Sequence, residues 1–213
     1  MSQQEFVIEH ITREATDYEG KAIPGSTTII VCLRCNLDLC KNIHDILIQE
    51  FGPEEIYENL CLIKIALTIF PNIYFDQNSQ TETRISLDCF YNNVTKYGSD
   101  IEYLNKKLKG AAHALLCMAL NTAYHERLIR ANETIVLTAS GELGDKSMHR
   151  LVDYYKKIGF EEVFPDDREN LIDERDVPMR STVKKILLGC KSTEFSEELT
   201  QVLKTTETVM TRL

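Results

Sequence analysis

Two tyrosines, Tyr154 and Tyr155, stand side by side near the end of a helix-like segment, shortly before the pair Gly159–Phe160. A phenol has a pKa of about 10, so it can donate a proton in catalysis and yet remain un-ionised at neutral pH. Tyr155 continues an apolar stripe that begins at Met148 and recurs at helical spacing, which turns its ring inward and leaves Tyr154 at the side of the helix. A buried hydroxyl needs a hydrogen-bond partner, and two partners remain open: a backbone carbonyl of the core or a bound reactant.

A second segment with chemical potential is the run KLKGAAH, Lys107–His113, at the start of an earlier helix. Its first turn holds one glycine and two alanines, and small residues allow a ligand to approach the backbone closely. The free N–H groups at a helix N-terminus also form a site for anions. The spacing of Lys107, Gly110 and Ala112 therefore suits a phosphate cradle, although small residues also begin ordinary buried helices. We use the word cradle for Lys107–His113 below.

The elements that must position these residues follow from hydrophobic periodicity and from turn residues. The segment Leu60–Phe70 is compatible with either a buried strand or a short helix. The remaining pattern predicts strands at Thr27–Leu39, Glu82–Tyr91, Thr134–Ser140, Phe160–Val163 and Ser181–Cys190, and helices at Leu39–Phe51, Gly110–Ile129, Lys146–Ile158 and Thr193–Leu213. Alternation of strands and helices in the second half indicates an α/β sandwich with some parallel pairing.

Taken together, the two motifs resemble those of the GNAT-type N-acetyltransferases. Lys107, Gly110 and Ala112 match that family's pyrophosphate motif, and Tyr155 with Gly159–Phe160 matches its later Tyr-x-x-x-Gly-Phe pattern. The resemblance covers about Glu82 to Cys190. It implies an α/β fold with a mixed central sheet flanked by helices, a single domain over 1–190 and a C-terminal helical extension over 191–213.

The resemblance also implies a mechanism. Acetyl-CoA would be the co-substrate, and a primary amine, either a small cationic amine such as a polyamine or a peptide amine, would attack its thioester directly. Tyr155 would act as general acid toward the departing thiolate, and Asp88 is the candidate base, although Asp88 is at least as well interpreted as a solvated strand residue or a turn cap. The residues implied in acetyl-CoA binding are Cys89, Phe90, Tyr91, Lys107, Leu108, Lys109, Gly110, Ala111, Ala112 and His113.

Three departures from the family pattern keep an alternative open. The chain has Lys107 where the family usually has Arg or Gln, Met148 where the family often has Asn, and a connection at Asn92–Lys106 that is longer than usual. The alternative is a catalytically inactive module of the same fold that binds an acyl-CoA or a protein partner.

Composition narrows the partners. The chain has 213 residues and a formal net charge of -9, which disfavours nucleic acid and anionic membranes and favours amines. No apolar run approaches the roughly 20 residues that span a bilayer, and the first ten residues resemble neither a signal nor a transit peptide. We therefore expect a cytoplasmic protein with its seven cysteines reduced.

Two further features concern metals and partners. Cys32, Cys35, Cys40 and His44 lie close together in the sequence, but Cys32 and Cys35 would face opposite sides of a strand, so we expect no metal. In the last predicted helix, four apolar residues share one face, which must cover either this core or a partner. A homodimer is thus one expectation; the residues are Phe195, Leu199, Val202 and Leu203.

Overall fold

A mixed sheet of eight strands forms the centre of the part of the chain that the computed structural model describes, residues 6–35, 61–74, 81–92, 106–140, 146–163, 176–192, 195–205 and 207–212. The strands are β1 (Phe6–Thr16), β2 (Ala22–Cys35), β3 (Cys61–Tyr74), β4 (Thr81–Asn92), β5 (Thr134–Ser140), β6 (Glu161–Glu162), β7 (Asp176–Thr182) and β8 (Glu207–Arg212). The described helices are α1 (Ala111–His125), α2 (Lys146–Lys157), α3 (Val183–Ser192) and α4 (Glu197–Thr205).

The strand order is β6-β7-β5-β4-β3-β2-β1-β8. Strands β1 to β4 form an antiparallel meander, and β4 then pairs in parallel with β5. The antiparallel neighbours β7 and β6 close one edge, while β8 lies parallel to β1 at the other. The predicted α/β fold with a mixed central sheet and flanking helices is confirmed.

One large apolar cluster joins the sheet to all four described helices. Alternate residues of β2 and β3, such as Val31 and Ile65, are buried in this cluster because side chains of a strand alternate between its two faces. Helix α1 is buried along most of its length and packs on β2 and β3. This packing fixes α1 against the sheet, and thereby the position of its N-terminus.

The predicted strand Ser181–Cys190 is wrong. Strand β7 ends at Thr182, and α3 begins at Val183. The Thr182 hydroxyl accepts a hydrogen bond from the Lys185 amide at 3.2 Å, which is an N-terminal cap. Val183 and Ile186 then fall on one buried helical stripe. The capping threonine and the three-residue spacing outweigh the apolar appearance of the segment.

The predicted helix Thr193–Leu213 is correct only in its first part. Helix α4 spans Glu197–Thr205, and its Leu199 and Val202 are buried in the main core, so this face covers the protein's own core. Residues Glu207–Arg212 form β8, which extends the sheet beside β1. Three of the six residues in ETVMTR are β-branched, which suits a strand better than a helix.

Leu60–Phe70, which was open between strand and helix, lies mostly in β3, and the strand Thr134–Ser140 is found with the predicted bounds. The predicted helix Leu39–Phe51 lies outside the described residues. Among the described helices, none combines the length and the hydropathy needed to cross a bilayer.

The expectation of reduced cysteines is wrong for one pair. Cys117 of α1 and Cys190 of α3 form a disulfide, with their Cα atoms 6.2 Å apart. Cys32 and Cys61 are free, buried thiols that behave as the expected small hydrophobes.

Candidate active site

Strands β4 and β5 pair over a very short distance. Their register joins Ile85 to Ile135 and Ser86 to Val136, yet β4 continues to Asn92 and β5 to Ser140. The later residues of β4 therefore do not use their β5-facing backbone groups to pair with β5. Extended ligands bind to such a strand edge through main-chain hydrogen bonds. This parting of β4 from β5 is the one place in the described sheet where neighbouring parallel strands open in this way.

A bulge lies in β4 at the same place. Leu87 is opposite Leu67 and Cys89 is opposite Ala66, so Asp88 is an extra residue without a partner in β3. Bulges re-aim side chains and occur beside active sites. Asp88 is exposed, Cys89 and Phe90 are half-buried, and Tyr91 continues the strand opposite Lys64. The bulge thus lies between the part of β4 that pairs with β5 and the part that does not.

Tyr155 of α2 is buried against the end of β4. Its ring lies 5.6 Å from that of Phe90 and 5.9 Å from that of Phe160, both in edge-on arrangements. Tyr154 completes the group, with its ring 5.5 Å from Phe90 and 5.8 Å from Tyr155. We call these four residues the tyrosine cluster. As the helical stripe predicted, Tyr155 is buried and Tyr154 is only partly buried.

The cluster keeps both phenols protonated. Burial, with a smaller contribution from the neighbouring Cys89, raises the pKa of Tyr155 to about 12. Burial and the adjacent Tyr155 raise the pKa of Tyr154 as well. The Tyr155 hydroxyl is not one of the fully buried polar atoms that lack a partner.

A helical turn at 106–108 leads into the cradle. The chain then turns sharply at Gly110, whose φ of 88° lies in the left-handed region. Only glycine adopts this conformation readily. The first bond of α1 runs from the Ala114 amide to the Gly110 carbonyl at 3.0 Å, so the three amides from Ala111 to His113 precede it. No described side chain caps this end, and the first turn of α1 holds no acidic residue. Uncapped amides at a helix N-terminus favour an anion.

The side chains of the cradle are unevenly placed. Leu108, Ala111, Ala112 and His113 are buried, Lys107 is half-buried, and Lys109 and Gly110 are exposed. A ligand can thus reach the backbone at Lys109 and Gly110. The buried side chains on either side pack into the core and hold the turn in place. Because α1 connects two parallel strands, its N-terminus lies toward the carboxyl ends of those strands, the side on which β4 and β5 part.

Helix α4 and Phe195, which precedes it, support the cradle, a contact that no sequence pattern identified. A Cβ atom at Gly110 would lie 3.5 Å from the Phe195 ring and 3.7 Å from Leu199. Phe195 also packs edge-on against the His113 ring, with centroids 6.4 Å apart. Burial lowers the pKa of His113, which favours the neutral imidazole. The one sequence feature that pointed to this contact was the apolar face of the last predicted helix. The sequence did not show which surface that face covers.

A cavity of about 430 Å³ lies at the junction of β4, β5 and β7. Hydroxyl groups line much of it, and Arg84 is the charged residue among its described lining. No sequence motif marks it, because its residues come from four separate segments. The described lining consists of Thr83, Arg84, Ser86, Thr134, Val136, Leu137, Thr138, Val163, Pro178 and Met179.

Comparisons with known proteins give little beyond this geometry. No family model matches the chain, and no curated protein matches it. A solved structure of the toxin AtaT, a tyrosine-to-phenylalanine mutant bound to the C-terminus of the antitoxin AtaR, matches 90% of this chain and 100% of its own. The TM-score is 0.39 and the sequence identity 13%, and at this level neither the activity nor the partner of that toxin transfers to this chain.

Proposed function

We propose that this protein is an acetyl-CoA-dependent N-acetyltransferase that moves an acetyl group to a primary amine by direct attack. The observation that carries the proposal is the position of Tyr155, whose buried ring packs on Phe90 where β4 parts from β5. A protonated phenol at this open strand edge suits a group that donates its proton to a reactant.

The residues present fit acetyl-CoA in three respects. The uncapped amides of the cradle suit the pyrophosphate, and Lys107 and Lys109 add positive charge nearby. The edge of β4 beyond Ser86 suits the amides of the pantetheine arm. The acetyl end would then lie beside Cys89, Phe90 and Tyr91, within the reach of Tyr155.

The proposed reaction uses this chain's residues as follows. The neutral amine nitrogen attacks the thioester carbonyl, the carbon–sulfur bond breaks, and the thiolate leaves. Tyr155 donates its proton to the departing sulfur, since its raised pKa keeps it protonated at neutral pH. Asp88, exposed on the bulge, takes the proton that the amine releases, directly or through a water molecule.

Arg84 narrows the class of amine that would accept the acetyl group. The cavity at the β4–β5 junction carries this one positive charge among its described lining residues, together with hydroxyl groups. On the proposal that the acceptor enters this cavity, a peptide amine with a nearby carboxylate fits better than a polyamine, because Arg84 repels additional cations. Turnover with peptide amines and with polyamines, compared between the native protein and Arg84→Gln, tests this preference. Arg84→Gln should weaken turnover with the peptide and leave or improve turnover with the polyamine.

The first test is calorimetric titration with acetyl-CoA, with desulfo-CoA and ATP as controls, followed by a screen for acetyl transfer to amines and peptides. Tyr155→Phe should lower kcat by about 10²–10⁴-fold, the usual contribution of a general acid, and leave acetyl-CoA affinity unchanged. Tyr154→Phe is the matched control, since Tyr154 also contacts Phe90 but is only partly buried.

Equal kinetics in the two variants would refute the role of Tyr155. Acetyl-CoA binding without transfer to any acceptor would instead favour the alternative, a non-catalytic module that binds acyl-CoA. Absence of binding would leave the cradle as an ordinary helix start.

A further inference from the structure

A histidine lies beside the disulfide between α1 and α3, so three potential metal ligands come together there. His113 and Cys117 are four residues apart on α1, so their side chains lie on one face a single turn apart. Cys190 comes from the last part of α3, which packs against α1. One helix thus supplies two ligand atoms and its neighbour supplies the third.

The three ligand atoms lie close together. The imidazole nitrogen, Nε2 of His113, is 3.6 Å from Sγ of Cys190, and all three ligand atoms lie within 4.8 Å of one another. In a tetrahedral zinc site, bond lengths of about 2.3 Å to sulfur and about 2.0–2.1 Å to nitrogen place adjacent sulfur and nitrogen ligands roughly 3.6 Å apart. The observed separation of nitrogen and sulfur already matches this geometry.

The surroundings also suit a metal. His113 and Cys117 are buried and Cys190 is half-buried, so the cluster is largely shielded from solvent but remains accessible at Cys190. Among the described residues this is the one such group of three or more metal-ligating side chains. Two sulfurs and one imidazole are ligands that soft or borderline cations prefer, and they do not suit magnesium or calcium.

We propose that His113, Cys117 and Cys190 form a binding site for a thiophilic divalent cation, Zn²⁺ above all, when the disulfide is reduced. A dithiol reductant transfers two electrons and two protons to the disulfide and is itself oxidised to a disulfide. Zn²⁺ then displaces the two thiol protons and binds two thiolates and the neutral imidazole, with water in the fourth position. The two sulfurs need only separate to about 3.8 Å, the spacing of thiolate ligands around tetrahedral zinc.

The site is independent of acetyl transfer. Metal binding uses the side chain of His113, whereas the cradle uses backbone amides of the same turn. The site predicts that α1 and α3 stay joined in both states, by a disulfide after oxidation and by the metal after reduction.

The test uses the full chain, reduced with a metal-free phosphine, and Zn²⁺ or Co²⁺ alone as probe. Reduced protein should bind one equivalent of Zn²⁺, and Co²⁺ should produce the intense visible bands of tetrahedral cobalt with thiolate charge-transfer bands. Oxidised protein should bind neither. His113→Gln should weaken Zn²⁺ binding by more than about 100-fold, because even outer-shell partners of metal ligands are worth about 10–100-fold.

Other thiols supply the control. Cys32 of β2 and Cys61 of β3 are two further free, buried thiols, far in sequence from this cluster. Cys190→Ser should abolish the thiolate bands with cobalt, and Cys32→Ser should preserve them. Bands that survive Cys190→Ser or His113→Gln unchanged, or that disappear in Cys32→Ser, would overturn the proposal.

Folding is monitored by circular dichroism and thermal melting, because reduction removes a cross-link. Zn²⁺ should raise the melting temperature of the reduced native protein and leave that of reduced His113→Gln nearly unchanged. A reduced protein that unfolds and is not refolded by Zn²⁺ would also overturn the site.

Discussion

The tyrosine cluster and the cradle are built in opposite ways. The cluster joins β4, α2 and the residue after the Gly159 turn, so its rings meet only when distant segments pack. The cradle is almost wholly backbone from seven consecutive residues, with a glycine in the left-handed conformation at its centre. We infer that mutations in the cluster act through burial, whereas mutations in the cradle act through backbone conformation. The four predictions below test this difference, from the largest expected effect to the smallest.

The largest effect concerns alkaline stability. The pKa of Tyr155 rises from 10.0 to about 12 in the fold, so between these pH values the unfolded chain loses the phenol proton while the native state keeps it. The free energy of unfolding therefore falls with rising pH in this window, by up to about 1.4 kcal/mol per pH unit, and the contribution is complete below pH 10. Denaturant unfolding of Tyr155→Phe should show a shallower fall over the same window. Identical slopes in the native protein and the variant would mean that the cluster does not bury this phenol.

The second prediction concerns the turn that ends α2. The buried Ser181 hydroxyl donates a hydrogen bond to the Gly159 carbonyl at 2.7 Å and holds the turn that follows Tyr155. Ser181→Ala should lower the free energy of unfolding by about 1–3 kcal/mol, because it leaves the carbonyl unpaired. Since the cradle is remote in sequence and built from α1, acetyl-CoA affinity should be unaffected while turnover falls. A loss of affinity equal to the loss of turnover would contradict the separation of the two regions.

Gly110→Ala tests the cradle, with Gly20→Ala as its control. Both glycines have positive φ, 88° and 81°, so alanine should cost about 1–2 kcal/mol of stability at either position. At Gly110 the new methyl meets Phe195 at an ordinary contact distance of 3.5 Å, and at Gly20 it meets nothing within 4 Å. Only Gly110→Ala should weaken acetyl-CoA binding, measured by calorimetry. Equal binding in both variants would show that the cradle does not hold the ligand.

The smallest effect compares two helix caps. Ser196 accepts a hydrogen bond from the Leu199 amide at 3.1 Å at the start of α4, and Thr182 caps α3 in the same way. Ser196→Ala and Thr182→Ala should each cost about 1 kcal/mol of stability. Because α4 packs beside Gly110, Ser196→Ala should also weaken acetyl-CoA binding slightly, and Thr182→Ala should not. The reverse order would mean that α4 does not support the cradle.

Local signals predicted part of this molecule well. The bounds of β5 and the ends of α2 differ from prediction by at most one residue, since both segments have strong periodicity and clear flanking turns. The segment after β7 was assigned to a strand because apolar residues in a short run do not distinguish a strand from a helix. The cap at Thr182 favours a helix after β7, and pairing with the edge of β1 favours a strand for β8.

The sequence by itself determined the elements with strong periodicity, the inward face of Tyr155 and the glycine at the start of α1. These depend on neighbours within about one helical turn, whose spacing can be read directly from the chain. Only the tertiary structure decided that β4 parts from β5 after Ser86, that Phe90 meets Tyr155, that α4 supports Gly110 and that Cys117 joins Cys190. Each of these joins residues far apart in the sequence, and their contacts arise from packing of the whole sheet and its helices, which no local pattern specifies.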